Sequence, residues 1–141
     1  MSVPVNERGH GKLEACVKAH ALCCYTIRIT ANKKIFTVEY QDVLTNRINA
    51  LALNIHMLCW TANNILVNSA DDMHRRLDLQ ERAAIECNNL LSLMDIAKSI
   101  FHLATKRVTY WGGLAVETRN LIRAWRESDH KRYTAKFKNG V

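Results

Sequence analysis

The chain is short of the residues that break helices. It holds one proline, Pro4, and five glycines among 141 residues. From Val5 onward no proline removes a backbone donor, and there are too few turn residues for the many tight reversals of an all-β fold. Long apolar runs are missing as well. The longest, Ala50 to Trp60, is interrupted by Asn54 and His56 and falls short of the ~20 residues a membrane span requires. No signal peptide is evident. The cysteine count is odd, with Cys16, Cys23, Cys24, Cys59 and Cys87, which argues for thiols in a reducing compartment. The sequence therefore predicts a soluble, cytoplasmic protein.

Signatures of catalysis are also lacking. There is no G-x-S-x-G elbow and no Gly-rich loop that would cradle a phosphate after a strand. The six histidines are scattered, with His20 expected in or near the core. The sequence predicts no enzyme and no cofactor. Cys16, His20, Cys23 and Cys24 lie within nine residues, so a Zn²⁺ site is conceivable. No C-x-x-C pair is present, however, and helical cysteines on an apolar face commonly serve as small core residues. The one Glu-x-x-His spacing of a di-iron bundle, Glu7 to His10, falls in a polar N-terminal stretch. The metal expectation is none.

What is present is helical periodicity. The length suits one domain, and an apolar share of 48% is enough for one core. Residues 1–11 read as a loose arm, 12–129 as the bundle and 130–141 as a basic tail. A first helix is expected over Lys12–Asn32, with Leu13, Cys16, His20, Cys23 and Ile27 on one face. A second spans Val38–Leu66, where Leu44, Ile48, Leu51, Ile55, Leu58, Ala62 and Ile65 step by four and three through three heptads. Asn68 to Asp72 is turn and capping chemistry. A third helix covers Asp72–Leu103, with Ala83, Cys87, Leu90, Met94, Ala97 and Phe101 as its seam. The fourth covers Lys106–Asp129, capped by Thr105. Its seam is Val108, Trp111, Ala115, Thr118, Ile122 and Trp125, and beyond Asp129 it is expected to fray. Gly112-Gly113 inside it costs about 1 kcal/mol per glycine against alanine, so a close neighbouring helix is expected there. Three short connections imply an all-α, up-down-up-down antiparallel four-helix bundle.

Charge supplies the functional signal. Lys and Arg outnumber Asp and Glu by 20 to 13, and the net charge is +7. Seven basic and two acidic residues fall between Thr118 and Val141, so most of the excess sits at the C-terminal end. Arg119, Arg123 and Arg126 share a helix face, and Lys131 and Arg132 extend the stripe. Tyr133 and Phe137 are interleaved with it. Arg75 and Arg76 begin the third helix, which antiparallel packing brings to the same end. Arginine forks suit phosphate, and neighbouring aromatics can stack on unpaired bases. A solvated face that serves solubility is the plainer reading. Asn63-Asn64 and Asn88-Asn89 should each turn one amide inward to fix register, or else contact a partner. Ile29, Leu53, Met57, Leu114 and Leu121 lie beside the seams and predict a homo-oligomer interface.

Three segments carry a resemblance. Val38–Leu66 (VEYQDVLTNRINALALNIHMLCWTANNIL), Glu86–Phe101 (ECNNLLSLMDIAKSIF) and Lys106–Tyr133 (KRVTYWGGLAVETRNLIRAWRESDHKRY) resemble the accessory variability determinant (Avd) proteins of diversity-generating retroelements. Those are similar in turn to 23S rRNA intervening-sequence proteins. W-T-A-N-N, C-N-N-L-L, K-R-V-x-Y-W and A-W-R-x-S-D-x-K-R-Y carry the likeness, which spans residues 12–133. The resemblance implies a basic homopentamer of four-helix bundles. It implies binding to the element's reverse transcriptase and structured template RNA in support of mutagenic cDNA synthesis, without enzymatic activity. The Cys-rich first helix departs from that pattern. A helix-bundle protein–protein adaptor that does not bind nucleic acid is the alternative.

Overall fold

The computed structural model describes residues 10–138, with side chains from residue 14 onward. Of the expected arm over residues 1–11, residues 1–9 with Glu7 lie outside the described residues, as does the Leu13 side chain, whereas His10 and Gly11 already belong to the first helix. Four helices follow in order: α1 (His10–Thr30), α2 (Asn46–Asn63), α3 (Ala70–Ile100) and α4 (Thr105–Phe137). A 3-10 turn, Val38–Tyr40, and a π turn, Gln41–Thr45, lead into α2. Each helix packs on its neighbours in a closed ring: α1 on α2, α2 on α3, α3 on α4 and α4 on α1.

Contacts fix the directions. Thr118 of α4 bonds the Lys18 carbonyl while Trp111 reaches Thr26, so α1 and α4 are antiparallel. Arg76–Asp129 and Asn88–Arg119 set α3 against α4 in the same sense. The protein is an all-α, up-down-up-down four-helix bundle. None of the described helices is long and apolar enough to cross a membrane.

The seams of α2, α3 and α4 follow the four-three spacing of their apolar residues. Ile48, Ile55, Leu58 and Ala62 of α2 meet Ala83, Cys87, Leu90, Met94 and Ala97 of α3, and Trp111, Ala115, Ile122 and Trp125 of α4. The α1 seam is different. It runs Ala15, Ala19, Leu22, Thr26 and Ile29–Thr30, all buried, whereas His20 and Ile27 are exposed. Of the expected face Cys23 is buried and Cys16 half-buried. Threonine serves as core here because its hydroxyl returns to its own helix. Thr26 bonds the Leu22 carbonyl at 2.7 Å and Thr30 that of Thr26 at 2.9 Å. Thr26 then accepts the Trp111 indole N–H at 3.0 Å, which leaves no polar atom of that pair unmet.

Helix ends depart from expectation only in part. Ser69, within the expected Asn68–Asp72 stretch, caps α3: its Oγ accepts from Asp72 N, and the Asp72 carboxylate accepts from Asn68 N, one residue before the cap. Thr105 lies inside α4, which begins after Ala104 with no side-chain cap. The Gly pair has no close helix against it. A methyl on Gly112 would meet Leu91 Cδ2 at 4.0 Å, ordinary contact, and one on Gly113 would meet nothing within 4 Å. Instead of fraying after Asp129, α4 continues two turns to Phe137. Tyr133 and Phe137 pack on a second small cluster of Ile65, Val67, Met73 and Leu77.

Candidate nucleic-acid interface

The fold brings Arg75, Arg76, Arg126, Lys131 and Arg132 to the end where α3 starts and α4 finishes, while Arg119 and Arg123 lie nearer the middle of α4. Their roles then separate. Arg76 is buried at 4% exposure. Its Nε donates to Asp129 at 2.7 Å, its Nη1 to the Ile65 carbonyl at 3.2 Å, and its plane lies over Trp125 and Tyr133. This guanidinium is buried and committed to the fold through Nε, Nη1 and its faces, so Arg76 is withdrawn from the candidate surface. Sequence reading places an arginine outside by default, and the partner that buries this one is 53 residues away.

Asp129 holds a small network. Gln80 Nε2 donates to it at 2.8 Å and Arg132 Nη2 at 2.6 Å. Arg132 remains exposed and lies against Tyr133. Arg75 pairs with Asp72 at 3.5 Å, and Lys131 with Glu127 at 3.5 Å. Much of the C-terminal positive charge is thus matched locally by carboxylates that α3 and α4 bring with them.

The α4 stripe keeps its common face. Arg119 donates to Asn88 Oδ1 on α3 at 2.9 Å and to Asn120. Arg126 donates through Nε to the Leu77 carbonyl at 3.1 Å, with Glu81 at 4.0 Å. Arg123 between them is exposed, with no ion pair among the described residues. Two arginines are therefore held upright by α3 while the middle one projects freely. Neutral acceptors fix Arg119 without cancelling its charge.

The paired asparagines do not turn inward as expected in α3. Asn88 and Asn89 are both exposed. Asn88 receives Arg119, and Asn89 donates to Glu86, which also accepts from Asn54 of α2 at 2.9 Å. In α2, Asn63 is half-buried, and Asn64 ends the helix as its C-cap.

The cysteines do not assemble a metal set. Among the described residues no three His, Cys, Asp or Glu side chains group as metal ligands. His20 lies 3.9 Å from Cys24 and edge-on to His56 of α2 at 5.6 Å. Burial pushes the Cys87 thiol up to about 12 and that of Cys59 up as well. Such thiols stay protonated and behave as core atoms.

The opposite flank of the bundle has another character. Between Arg47 and Asp71 the chain contains no charged residue. Leu53, Met57 and Trp60 recur at four- and three-residue steps on the outer face of α2 and are 47%, 51% and 54% exposed. Val17 of α1 is likewise exposed. Of the residues expected at an interface, Leu53 and Met57 are on this face, whereas Ile29 and Leu114 are buried in the core and Leu121 packs against it. Trp60 is the residue the sequence reading passed over; its place two turns after Leu53 and one after Met57 is the available signal. Comparison with protein-family models, curated proteins and solved structures gives no match.

Proposed function

We propose that this protein is a non-catalytic accessory factor of a diversity-generating retroelement. It binds structured template RNA and the reverse transcriptase as an Avd-like homo-oligomer. The observation that carries the reading is the arginine row of α4. Arg119 and Arg126 are held by Asn88 and the Leu77 carbonyl, and Arg123 stands free between them. A guanidinium already held in place loses less side-chain entropy when a phosphate docks. The resemblance of residues 12–133 to Avd proteins supplies the partner class, and five subunits come from that resemblance alone. The uncharged outer face of α2 is the surface for self-association, and the charged α3–α4 flank is left for RNA.

RNA binding through phosphates weakens steeply with salt, with a slope near −0.7 per phosphate contact on single strands. A gel shift with the element's RNA tests the reading. Binding at low salt that falls along such a slope supports it. No binding at low salt, alone or with the polymerase, rules it out. The local pairing of Arg75, Lys131 and Arg132 favours a second reading, a protein–protein adaptor whose charge serves solubility. Under that reading the triple variant Arg119→Gln, Arg123→Gln, Arg126→Gln retains full function.

A further inference from the structure

Ion pairs are distributed unevenly along the bundle. Five of them, Arg75–Asp72, Arg76–Asp129, Arg126–Glu81, Lys131–Glu127 and Arg132–Asp129, lie at the end where α3 begins and α4 finishes. Another, Lys18–Glu117, lies midway. The opposite end has none among the described residues, yet it is rich in cations. Arg28, Lys33 and Lys34 come from the end of α1 and the loop after it. Lys98, Lys106 and Arg107 come from the end of α3 and the start of α4. All six are exposed. Against them stand three carboxylates, Glu39, Asp42 and Asp95, and none is in an ion pair with a cation there.

We infer that this end, formed by the α1–α2 and α3–α4 connections, is a second contact surface for the RNA backbone, distinct from the α4 arginine row. The inference rests on the RNA-binding reading above and adds a location to it.

Two further features fit a polyanion. The first turn of α4 contains no acidic residue and the helix has no side-chain cap. Lys106 and Arg107 thus sit at the positive end of a 33-residue helix, where cations are disfavoured. An anion docked there would offset that cost. The surface is nevertheless defined by its six cations and not by the helix terminus. Exposed rings lie among them: Tyr110, 58% exposed, leans edge-on against Tyr25, and Tyr40 against Phe101. Lys34, Tyr40, Phe101 and His102 line a cleft of about 340 Å³ beside them. Rings next to free cations are what an unpaired base and its phosphates require. Arg107 and the Arg119–Arg126 row are on one continuous helix, so the two surfaces stand roughly 20–30 Å apart at 1.5 Å per residue. A structured RNA can therefore be held at two separate points.

The test compares two neutralised proteins with the unaltered chain, titrated with the same structured RNA at several salt concentrations. One carries Lys34→Gln, Lys98→Gln, Lys106→Gln and Arg107→Gln. The other carries Arg119→Gln, Arg123→Gln and Arg126→Gln. The first is expected to bind at least tenfold more weakly at low salt. Its slope of log K against log salt should be shallower by about 3, near 0.7 for each of the four cations removed. Its thermal midpoint should stay close to that of the unaltered chain, because Lys106 and Arg107 leave a helix N-terminus while Lys98 leaves a helix C-terminus, so lost binding cannot be lost folding. If only this variant loses affinity, the inference stands and the α4 row is not the site. Unchanged affinity and slope in this variant, with loss in the other, overturns the inference and leaves the RNA-binding reading intact. If the unaltered chain binds no RNA, both fall.

Discussion

Arg76 and Asp129 form a buried ion pair, 2.7 Å from Nε to Oδ2, that joins the second turn of α3 to the late part of α4. Both side chains are almost fully withdrawn from water. Arg76 also bonds the Ile65 carbonyl, so the pair clips the α2–α3 connection to both helices. It explains why α4 does not end at Asp129. The next two turns close over Ile65, Val67, Met73 and Leu77 through Tyr133 and Phe137.

Breaking one side of this pair leaves the other charge buried and alone. Asp129→Ala is expected to cost about 3–5 kcal/mol, read as a lower denaturation midpoint in urea. Combining it with Arg76→Met should restore part of the loss, because no uncompensated charge remains. A single substitution that costs under about 1 kcal/mol would show that the pair is solvated and the clip absent.

Gly112 and Gly113 give the opposite sign. Neither is pressed by a neighbouring backbone, and both have helical surroundings. Gly112→Ala and Gly113→Ala should each raise stability by about 1 kcal/mol, measured by chemical denaturation. The Leu91 methyl at 4.0 Å from the first site provides packing rather than a clash.

How far these features could be read beforehand depends on the residue type that forms them. Leucine and isoleucine at four-three steps make the α2, α3 and α4 seams legible. The α1 seam is hidden because Ala15, Ala19, Thr26 and Thr30 carry little hydropathy, and the threonines become core only by bonding their own helix. The last turns of α4 are hidden for a similar reason. Trp125, Asp129, Tyr133 and Phe137 continue one face at four-residue steps, but a polar sequence around them masks it. The basic site was legible as composition and not as geometry. Which cations are spent on carboxylates, and which stand free, is decided by pairs far apart in the chain. For that reason the end with Lys106 and Arg107 went unread.

The Trp111–Thr26 bond is the polar contact at the centre of the α1–α4 packing. Thr26→Val keeps the shape and removes the acceptor, stranding a buried indole N–H. A loss of about 1–3 kcal/mol is expected. Thr26→Ser retains the oxygen and should lose less. Equal effects of the two would mean that the γ-methyl, not the hydroxyl, is what α1 contributes there.

His56 provides a pH dependence. Burial, with the neighbouring His20 second, lowers its proton affinity below the ordinary value of 6.5. The native state then favours the neutral ring, while the unfolded chain takes up the proton as pH falls through 6.5. Stability from this group is complete above that pH and is lost on acidification through the lowered native value. The melting temperature should drop between pH 7 and pH 5, and more steeply than in His56→Gln. Parallel profiles for the two proteins would assign the acid loss to other groups.

The uncharged outer face of α2 predicts self-association. An outer helix face without charge over this length is unusual on a monomer, and Leu53, Met57 and Trp60 make it apolar. The chain should sediment as an oligomer at micromolar concentration. Leu53→Glu with Trp60→Glu places two carboxylates in the contact and should yield the monomer with its helical circular dichroism preserved, since neither residue belongs to the core. The same double variant separates two roles of the surface. If oligomers are needed to present several arginine rows to one RNA, the monomer should bind that RNA at least tenfold more weakly while keeping all of its basic residues. Full affinity in the monomer would place RNA binding within a single bundle and leave the apolar flank to the polymerase.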